Sequence, residues 1–585
     1  MSAEVDRVEL RDGMLVEWDV ELAMDDGVSL RADVFRPPGG GPSPAILSYG
    51  LYGKGLAFQD GYPDQWTILA DRYPDAVEGS SNLYANWEVV DPERWVPEGY
   101  ACIRVDSRGA GRSPGYLDPW SPREAEDAYA CIEWVAAQPW CTGRVGMSGI
   151  SYYAMNQWRV AALRPPHLAA ICAWEGAADF YRDACYHGGI LCVNRRNWFE
   201  RQVKPVQHGR GERGPRSRVT GELVCGPETL TAEELAQNRT DVYPTIRAHP
   251  LDDGWHRALS ADLGQVGVPF LSAGAWGGQA MHLRGNTEAF VRAASADRWL
   301  ELHGGEHWAS FYTARGVELQ RRFFGRFLRD ERAGWPDEPR VRLRLQRVDG
   351  TFEDRAESEW PLRRTRWGRL HLASTGDLRP APSPTAATLS FDALGEGVEL
   401  LAPPVGERTE LTGPASAKLF VSSSTADADL FLVIRVYDPD GREIAFQGSN
   451  DPRSALGKGW LRASHRRLDE ALSTEFRPYH RHDRVEPLSP GEIYELDVEI
   501  WPLSVILPQG FRVALRIQGR DFERDDSARL ANFAVALRGS GPYLHDDPDD
   551  RPPDVFGGVT TIHLGPDHPS SLLLPVIPSI DPAVP

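Results

Sequence analysis

The chain has 585 residues, 41% of them hydrophobic and 25% charged, which is the composition of an ordinary globular protein too long for one core, so two or three domains are expected. A formal net charge of −20 argues against a nucleic-acid backbone or an anionic membrane surface as partner. Seven scattered cysteines without a Cys-x-x-Cys pair, no His-Glu-x-x-His, no leader-like start and no apolar run near the roughly 18 residues of a membrane span predict a cytoplasmic protein with reduced thiols, no metal and no cofactor.

The first informative element is the apolar run Pro44–Tyr49, a strand followed by the glycine-rich loop Gly50-Leu51-Tyr52-Gly53-Lys54-Gly55. A second strand, Tyr100–Val105, ends in Asp106-Ser107-Arg108-Gly109-Ala110-Gly111-Arg112-Ser113. Apolar residues at helical spacing (Ala128, Cys131, Ile132, Val135) predict a helix over Glu124–Ala137. Trp140-Cys141 and the strand Val145–Ser148 then lead to a sharp turn centred on Ser151 and a further helix. Strand, loop, helix, strand, turn, helix is the alternation of a mostly parallel α/β sheet with active groups at the carboxyl ends of its strands.

The Ser151 turn has the layout of a nucleophile elbow, which lifts a serine hydroxyl above the sheet. Small residues are wanted two positions either side; Gly149 satisfies the first and Tyr153 does not satisfy the second. Ser148, between Gly146 and Gly149, is the rival, but it lies within the strand. A plain turn with an N-capping serine is the bland alternative.

These motifs resemble those of the cocaine esterase / X-Pro dipeptidyl-peptidase family of α/β-hydrolases, through Asp-x-Arg-Gly-x-Gly-x-Ser at Asp106–Ser113, Trp140-Cys141, and Val-Gly-Met-x-Gly-Ile-Ser-Tyr at Val145–Tyr152. The likeness extends along most of the chain. It implies an α/β-hydrolase fold with a helical cap insertion, followed by a C-terminal β-sandwich of jelly-roll type. The boundaries read from sequence are 1–176 and 268–338 for the hydrolase, 177–267 for the cap and 339–585 for the β-domain.

An elbow serine needs a base, an orienting acid and an oxyanion hole. The last sheet strand reads as Arg298–His303, and His307 follows it where a hydrolase keeps its base; it matches the family's histidine in a Gly-x-x-His segment. His303 is expected to pack inside the strand. The family's aspartate follows the strand before, within Gly-Trp-x-Asp, but this chain has Trp276-Gly277-Gly278-Gln279, with glycine at the acid position. Glu175, at the end of the strand Leu168–Trp174, is the expected replacement, since some α/β-hydrolases carry the acid there; Asp179 is the reserve. The backbone N–H of Tyr152 is one oxyanion donor. The resemblance implies the Tyr52 hydroxyl as the second, because Leu51-Tyr52-Gly53-Lys54 matches the family's Pro-Tyr segment with Leu in place of Pro.

Trp174, just before the insertion, and Asp179, Phe180, Tyr181, Asp183 and Trp198 within it are candidate pocket residues, with ordinary packing as the alternative for each. From about Pro339, period-two alternation (Val341–Leu345, Ala417–Val421, Leu430–Tyr437, Phe511–Ile517) with turns such as Asp438-Pro439-Asp440-Gly441 predicts the β-sandwich. A lectin-like module is the competing reading of that domain. The chain as a whole reads as a serine hydrolase cleaving a carboxylic ester or amide through an acyl-enzyme, with a small ester or a short peptide as substrate. Dipeptidyl-peptidase, α-amino-acid ester hydrolase or acyltransferase, and non-catalytic binding protein are the alternatives; a homo-oligomer is left open.

Overall fold

In the computed structural model the described residues are 8–578, apart from 40, 333, 334, 336, 531, 532 and 534. The first sheet has eleven strands: β1 Val8–Arg11, β2 Met14–Ala23, β3 Ser29–Arg36, β4 Ser43–Gly50, β5 Ala101–Asp106, β6 Cys141–Ile150 and β7 Leu168–Trp174. After a small cap hairpin, β8 Tyr186–His187 and β9 Ile190–Leu191, it continues with β10 Phe270–Ala275, β11 Arg298–His303, β12 Val341–Gln346 and β13 Phe352–Glu357. The spatial order is β1-β2-β3-β5-β4-β6-β7-β10-β11-β12-β13, parallel from β5 to β12 and antiparallel at both margins.

The central strands are apolar on both faces because helices cover both, among them Pro122–Ala136, Tyr152–Ala162, Leu283–Arg292 and Ala314–Arg329. Register brings the carboxyl ends into line, pairing Ile150 with Trp174 and Ala275 with His303. Backbone bonds then lock the exits side by side: Ser151 N–H to Trp174 O at 3.0 Å, Glu175 N–H to Ala273 O at 2.6 Å and Trp276 N–H to His303 O at 2.7 Å. Four chain exits thus open on one edge of the sheet.

The segment 177–267 forms the cap from short helical turns and the β8–β9 hairpin. Two strands beyond the boundary read at 339 join the first sheet, not the second. Val341–Leu345 does alternate, but β12 lies parallel to β11 and, with β13, extends the hydrolase sheet. Alternation marks a strand with one covered face and does not say which sheet owns it.

The second sheet has twelve strands, from Arg366–Leu372 to Ser571–Ile577, with antiparallel pairing. Its longest strand, Thr409–Ser423, pairs along one edge with Tyr494–Leu507 and along the other with both Ser571–Ile577 and Val559–Leu564. Leu419, Val421, Leu432, Ile434, Val498, Leu515 and Ile517 fill its core. The two sheets meet through Gln346, whose amide donates to Ser504 O at 3.1 Å, and through the Arg284–Glu499 ion pair at 3.0 Å. No helix among the described residues is long and apolar enough to cross a membrane.

Candidate active site

Ser151 stands between β6 and the helix Tyr152–Ala162 with φ 56° and ψ −112°, a strained conformation for a residue with a side chain. Gly149 is obligatory: at φ 153°, a Cβ there would meet Tyr153 Cβ at 2.4 Å and Glu88 O at 3.0 Å. The bulky Tyr153, which breaks the small-residue pattern, fits because Gly50 also lacks a side chain; a Cβ at Gly50 would meet the Tyr153 ring at 2.6 Å. Ser148 is buried within β6, with its hydroxyl 3.4 Å from Gln320 Oε1, away from the cavity.

A cavity opens over Ser151. The imidazole facing the nucleophile is that of His282, with Nε2 3.2 Å from Ser151 Oγ. His282 caps the helix Leu283–Arg292 at the end of the loop from β10. Its Nδ1 lies 3.7 Å from Glu175 Oε2, in ion-pair range but beyond a hydrogen bond. Glu175 turns toward this loop with φ 54°. A Cβ at Gly278 would sit 3.3 Å from Glu175 Oε2, so the glutamate carboxylate fills the neighbourhood that a side chain from 278 would enter.

Behind Glu175 stands His303, its Nε2 3.2 Å from Glu175 Oε1 and its Nδ1 2.6 Å from Glu301 Oε2. His303 loses to burial but gains more from Glu301 and Glu175, and its pKa rises to about 9. It is therefore an imidazolium at neutral pH. Burial pushes Glu175 up, and His303 pulls it back toward the ionised form. His282 is held well below the usual histidine value by burial, by His307 and by the Arg195 charge, so it is a neutral base.

His307, expected on Ser151, is not brought onto it. It lines the same cavity, but its Nε2 faces Glu88 Oε1 at 3.2 Å and its Nδ1 faces Ser449 O at 3.4 Å. Burial lowers His307 to about 4, and burial together with Glu175 raises Glu88 well above the carboxylate range. Both directions favour a neutral pair in which the Glu88 carboxyl proton faces Nε2. The lone pair that a base would offer to Ser151 is engaged elsewhere.

Tyr52 and the Tyr152 backbone border the same space. The Trp198 indole N–H donates to the Tyr52 hydroxyl oxygen at 2.9 Å, which leaves the phenolic proton for a ligand. The Tyr152 N–H opens a helix and has no intrahelical acceptor. The loop carrying Tyr52 is braced from below: Lys54 Nζ is 2.7 Å from Asp33 Oδ1, and the Lys54 and Arg112 N–H groups donate to Asp106 at 2.5 and 2.8 Å. The Asp106 loop needs Gly111, where a Cβ would overlap Asp106 Oδ2 at 2.1 Å.

Of the pocket candidates, Trp198 lines the cavity and the other five do not. Trp174 packs on His303 at 5.5 Å, Phe180 lies behind Trp120 at 5.0 Å, and Tyr181 stacks on Tyr186 at 4.9 Å. Asp179 pairs with Arg182 at 2.8 Å and Asp183 with Arg284 at 2.9 Å, so neither is a spare acid. Apolar and acidic residues of a cap serve its own packing first. Sequence reasoning missed His282, Glu88, Trp120 and Arg195, and also Asn450, Phe533 and Tyr543 from the β-domain. The signal for His282 was there: the loop that lacks its aspartate ends in a histidine.

Spacing also hid a Cys/His group. His187, Cys192 and His545 bring ligand atoms within 4.8 Å of one another, across 358 residues of chain. His187 Nδ1 and His545 Nε2 are 2.7 Å apart, and His545 Nδ1 reaches Asp521 Oδ1 at 2.9 Å. Structural zinc takes four ligands, and this trio supplies three. The histidines form a hydrogen-bonded clamp between the cap and the β-domain.

The parallel sheet, the strained serine elbow and the cap define an α/β-hydrolase, and the relatives define a serine hydrolase. Residues 26–309 match X-Pro dipeptidyl-peptidase (S15 family), and residues 333–573 match the X-Pro dipeptidyl-peptidase C-terminal non-catalytic domain. A CocE/NonD family hydrolase from Staphylococcus aureus is 30% identical and superposes with a TM-score of 0.82 over 96% of this chain and 94% of that one. Cocaine esterase from Rhodococcus sp. is 26% identical over 96% of this chain and 98% of its own length. An aminopeptidase from Thaumarchaeota archaeon shares the fold, at 16% identity and TM-score 0.68 over 99% of each chain. The chain belongs to the cocaine esterase / X-Pro dipeptidyl-peptidase (CocE/NonD) family.

Proposed function

We propose that this serine hydrolase cleaves carboxylic esters through an acyl-enzyme on Ser151, with His282 as general base and Glu175 as its orienting acid. The observation that carries the reading is the 3.2 Å approach of His282 Nε2 to Ser151 Oγ, on a strained elbow inside the cavity. Ser151 Oγ attacks the carbonyl carbon as its proton passes to His282 Nε2. The Tyr52 hydroxyl and the Tyr152 N–H hold the resulting oxyanion. Collapse breaks the bond to the leaving oxygen, which takes the proton from His282, and water repeats the sequence to free the acid. The 3.7 Å gap between Glu175 and His282 closes as the imidazole gains charge, since such contacts tighten in the reacting complex.

Ester cleavage is favoured over release of an amino-terminal dipeptide because Asp179 and Asp183, two carboxylates that could have held a substrate ammonium, are paired with Arg182 and Arg284 and lie off the cavity. The named relatives include both an esterase and a peptidase. A second reading keeps His307 as the base, because it lines the cavity and its ring centroid is 5.5 Å from that of His282. Intact-protein mass after exposure to a fluorophosphonate separates these. One adduct, with fluoride displaced, is expected on the wild type and on His307→Ala, and none on Ser151→Ala or His282→Ala. An adduct on His282→Ala that is lost in His307→Ala selects the second reading, and no adduct on the wild type removes both.

A further inference from the structure

Arg195 lies in the cap helix Asn194–Trp198 and lines the cavity over Ser151 with only 4% of its surface exposed. A buried guanidinium stays charged and is expensive to leave without an anion. At three other buried arginines the fold supplies that anion: Arg182 has Asp179 and Asp252, Arg284 has Asp183 and Glu499, and Arg462 has Asp429 and Asp550. Arg104 and Arg159 are met instead by short bonds to backbone carbonyls, of Tyr84, Val90 and Ser121 at 2.8 Å, and neither lines the cavity. Arg195 has weak neighbours instead. Its Nε donates to Ala184 O at 3.3 Å and its Nη2 approaches Met281 Sδ at 3.2 Å, with the Cys185 thiol also in contact. Among the described residues no carboxylate forms an ion pair with it.

The guanidinium is nevertheless held firmly, 4.7 Å over the Trp120 ring and 5.6 Å from that of Trp198, whose N–H fixes Tyr52. Its charge is felt by Tyr52, His282 and Tyr543, all on the cavity wall. A planar cation with donors to spare on the wall of the cavity that holds Ser151 has the chemistry of a carboxylate receptor. The chain carries a formal −20, so an anionic ligand is drawn in against the overall field and needs a local cation.

We infer that the substrate carries a free carboxylate, on its acyl or its leaving portion, and that Arg195 binds it. The anion completes a charge the fold leaves unpaired, and burial of both partners makes the pairing selective for acid over neutral ester. The rate readout rests on the acyl-enzyme reading above; the binding readout does not.

Two matched pairs of probes test it: p-nitrophenyl hydrogen glutarate with p-nitrophenyl methyl glutarate, and 3-acetoxybenzoate with its methyl ester. A hydrogen-bonded charge is worth roughly a 10- to 100-fold preference, so kcat/KM for the acid should exceed that for the methyl ester by this factor in one pair. Arg195→Met should bring the ratio to about one or below, and Arg195→Lys should keep part of it. Both members of a pair are read on the same protein, so loss of folded enzyme cancels in the ratio. Calorimetric binding of the same probes to Ser151→Ala gives the answer without chemistry: the acid binds, and Ser151→Ala/Arg195→Met does not discriminate. Preference for the methyl ester in both pairs, or a preference that survives Arg195→Met, overturns the inference. A wild type that takes no fluorophosphonate yet binds the acid through Arg195 removes the acyl-enzyme reading and leaves this one standing.

Discussion

Two loops deliver an imidazole to the same cavity, and their surroundings are opposite. The loop after β10 ends in His282, with the Ser151 hydroxyl in front of one nitrogen and the Glu175 carboxylate behind the other. The loop after β11 carries His307, with the Glu88 carboxyl in front and the Ser449 carbonyl behind. A base is defined by what stands on both of its nitrogens. By that criterion the proposed mechanism makes the residue in the expected place along the chain a wall of the site, and gives the work to the residue four positions past the missing aspartate.

The largest effect expected is the loss of Ser151 or His282, each about six orders of magnitude in kcat when the groups act as a unit. His307→Ala should cost at least about two orders of magnitude less, and steady-state ester turnover by the two histidine variants gives the order directly. The reverse order would return the base to His307. Next comes Glu175→Gln, which keeps the shape and loses the charge: about a 10⁴-fold fall in kcat is expected, by analogy with amide replacement of a triad acid. A near-normal kcat there would mean that Glu175 merely pairs with His303. Tyr52→Phe should lower kcat by about 10²–10³-fold with little change in KM, the mark of a donor used only in the transition state. An unchanged kcat would assign Tyr52 to packing against Tyr62 and Tyr152.

The smallest effects are in pH. His282 must be neutral to act, and its pKa lies well below 6.5, so the acid limb of kcat/KM should fall below that value. A limb at 6.5 or above would point to another base. For stability the sign is opposite at His303. Its pKa is raised to about 9 in the fold, so its contribution is complete below 6.5 and disappears as pH rises through 9. Urea midpoints for wild type and Glu301→Gln should therefore converge from pH 6 to pH 10; a constant gap would show that His303 is uncharged in the fold.

The sheet, the elbow and the β-rich second half were legible because each rests on local pattern: apolar runs, a glycine before a serine, and alternation. The position of Glu175 beside the elbow was legible because strand order places it at a known edge. That of His282 was not, because it depends on a turn at Gly278 and on Glu175 reaching across from β7. Asp179 and Asp183 misled for a related reason, since their arginine partners lie up to 101 residues away or within their own turn. The assignment of β12 depended on which neighbour completes its hydrogen bonds, which alternation does not encode.

The C-terminal domain meets the catalytic edge directly. Ser449 accepts the His307 N–H at 3.2 Å and donates its own N–H to Gly277 O at 2.9 Å, while Asn450, Phe533 and Tyr543 line the cavity. Part of the cavity wall is thereby written on a stretch of chain separate from the sheet that aims the nucleophile. A chimera that trades the whole β-domain would therefore change the wall around Asn450 and Tyr543 while leaving in place the strands that aim the nucleophile and the Arg195 charge, which belongs to the cap.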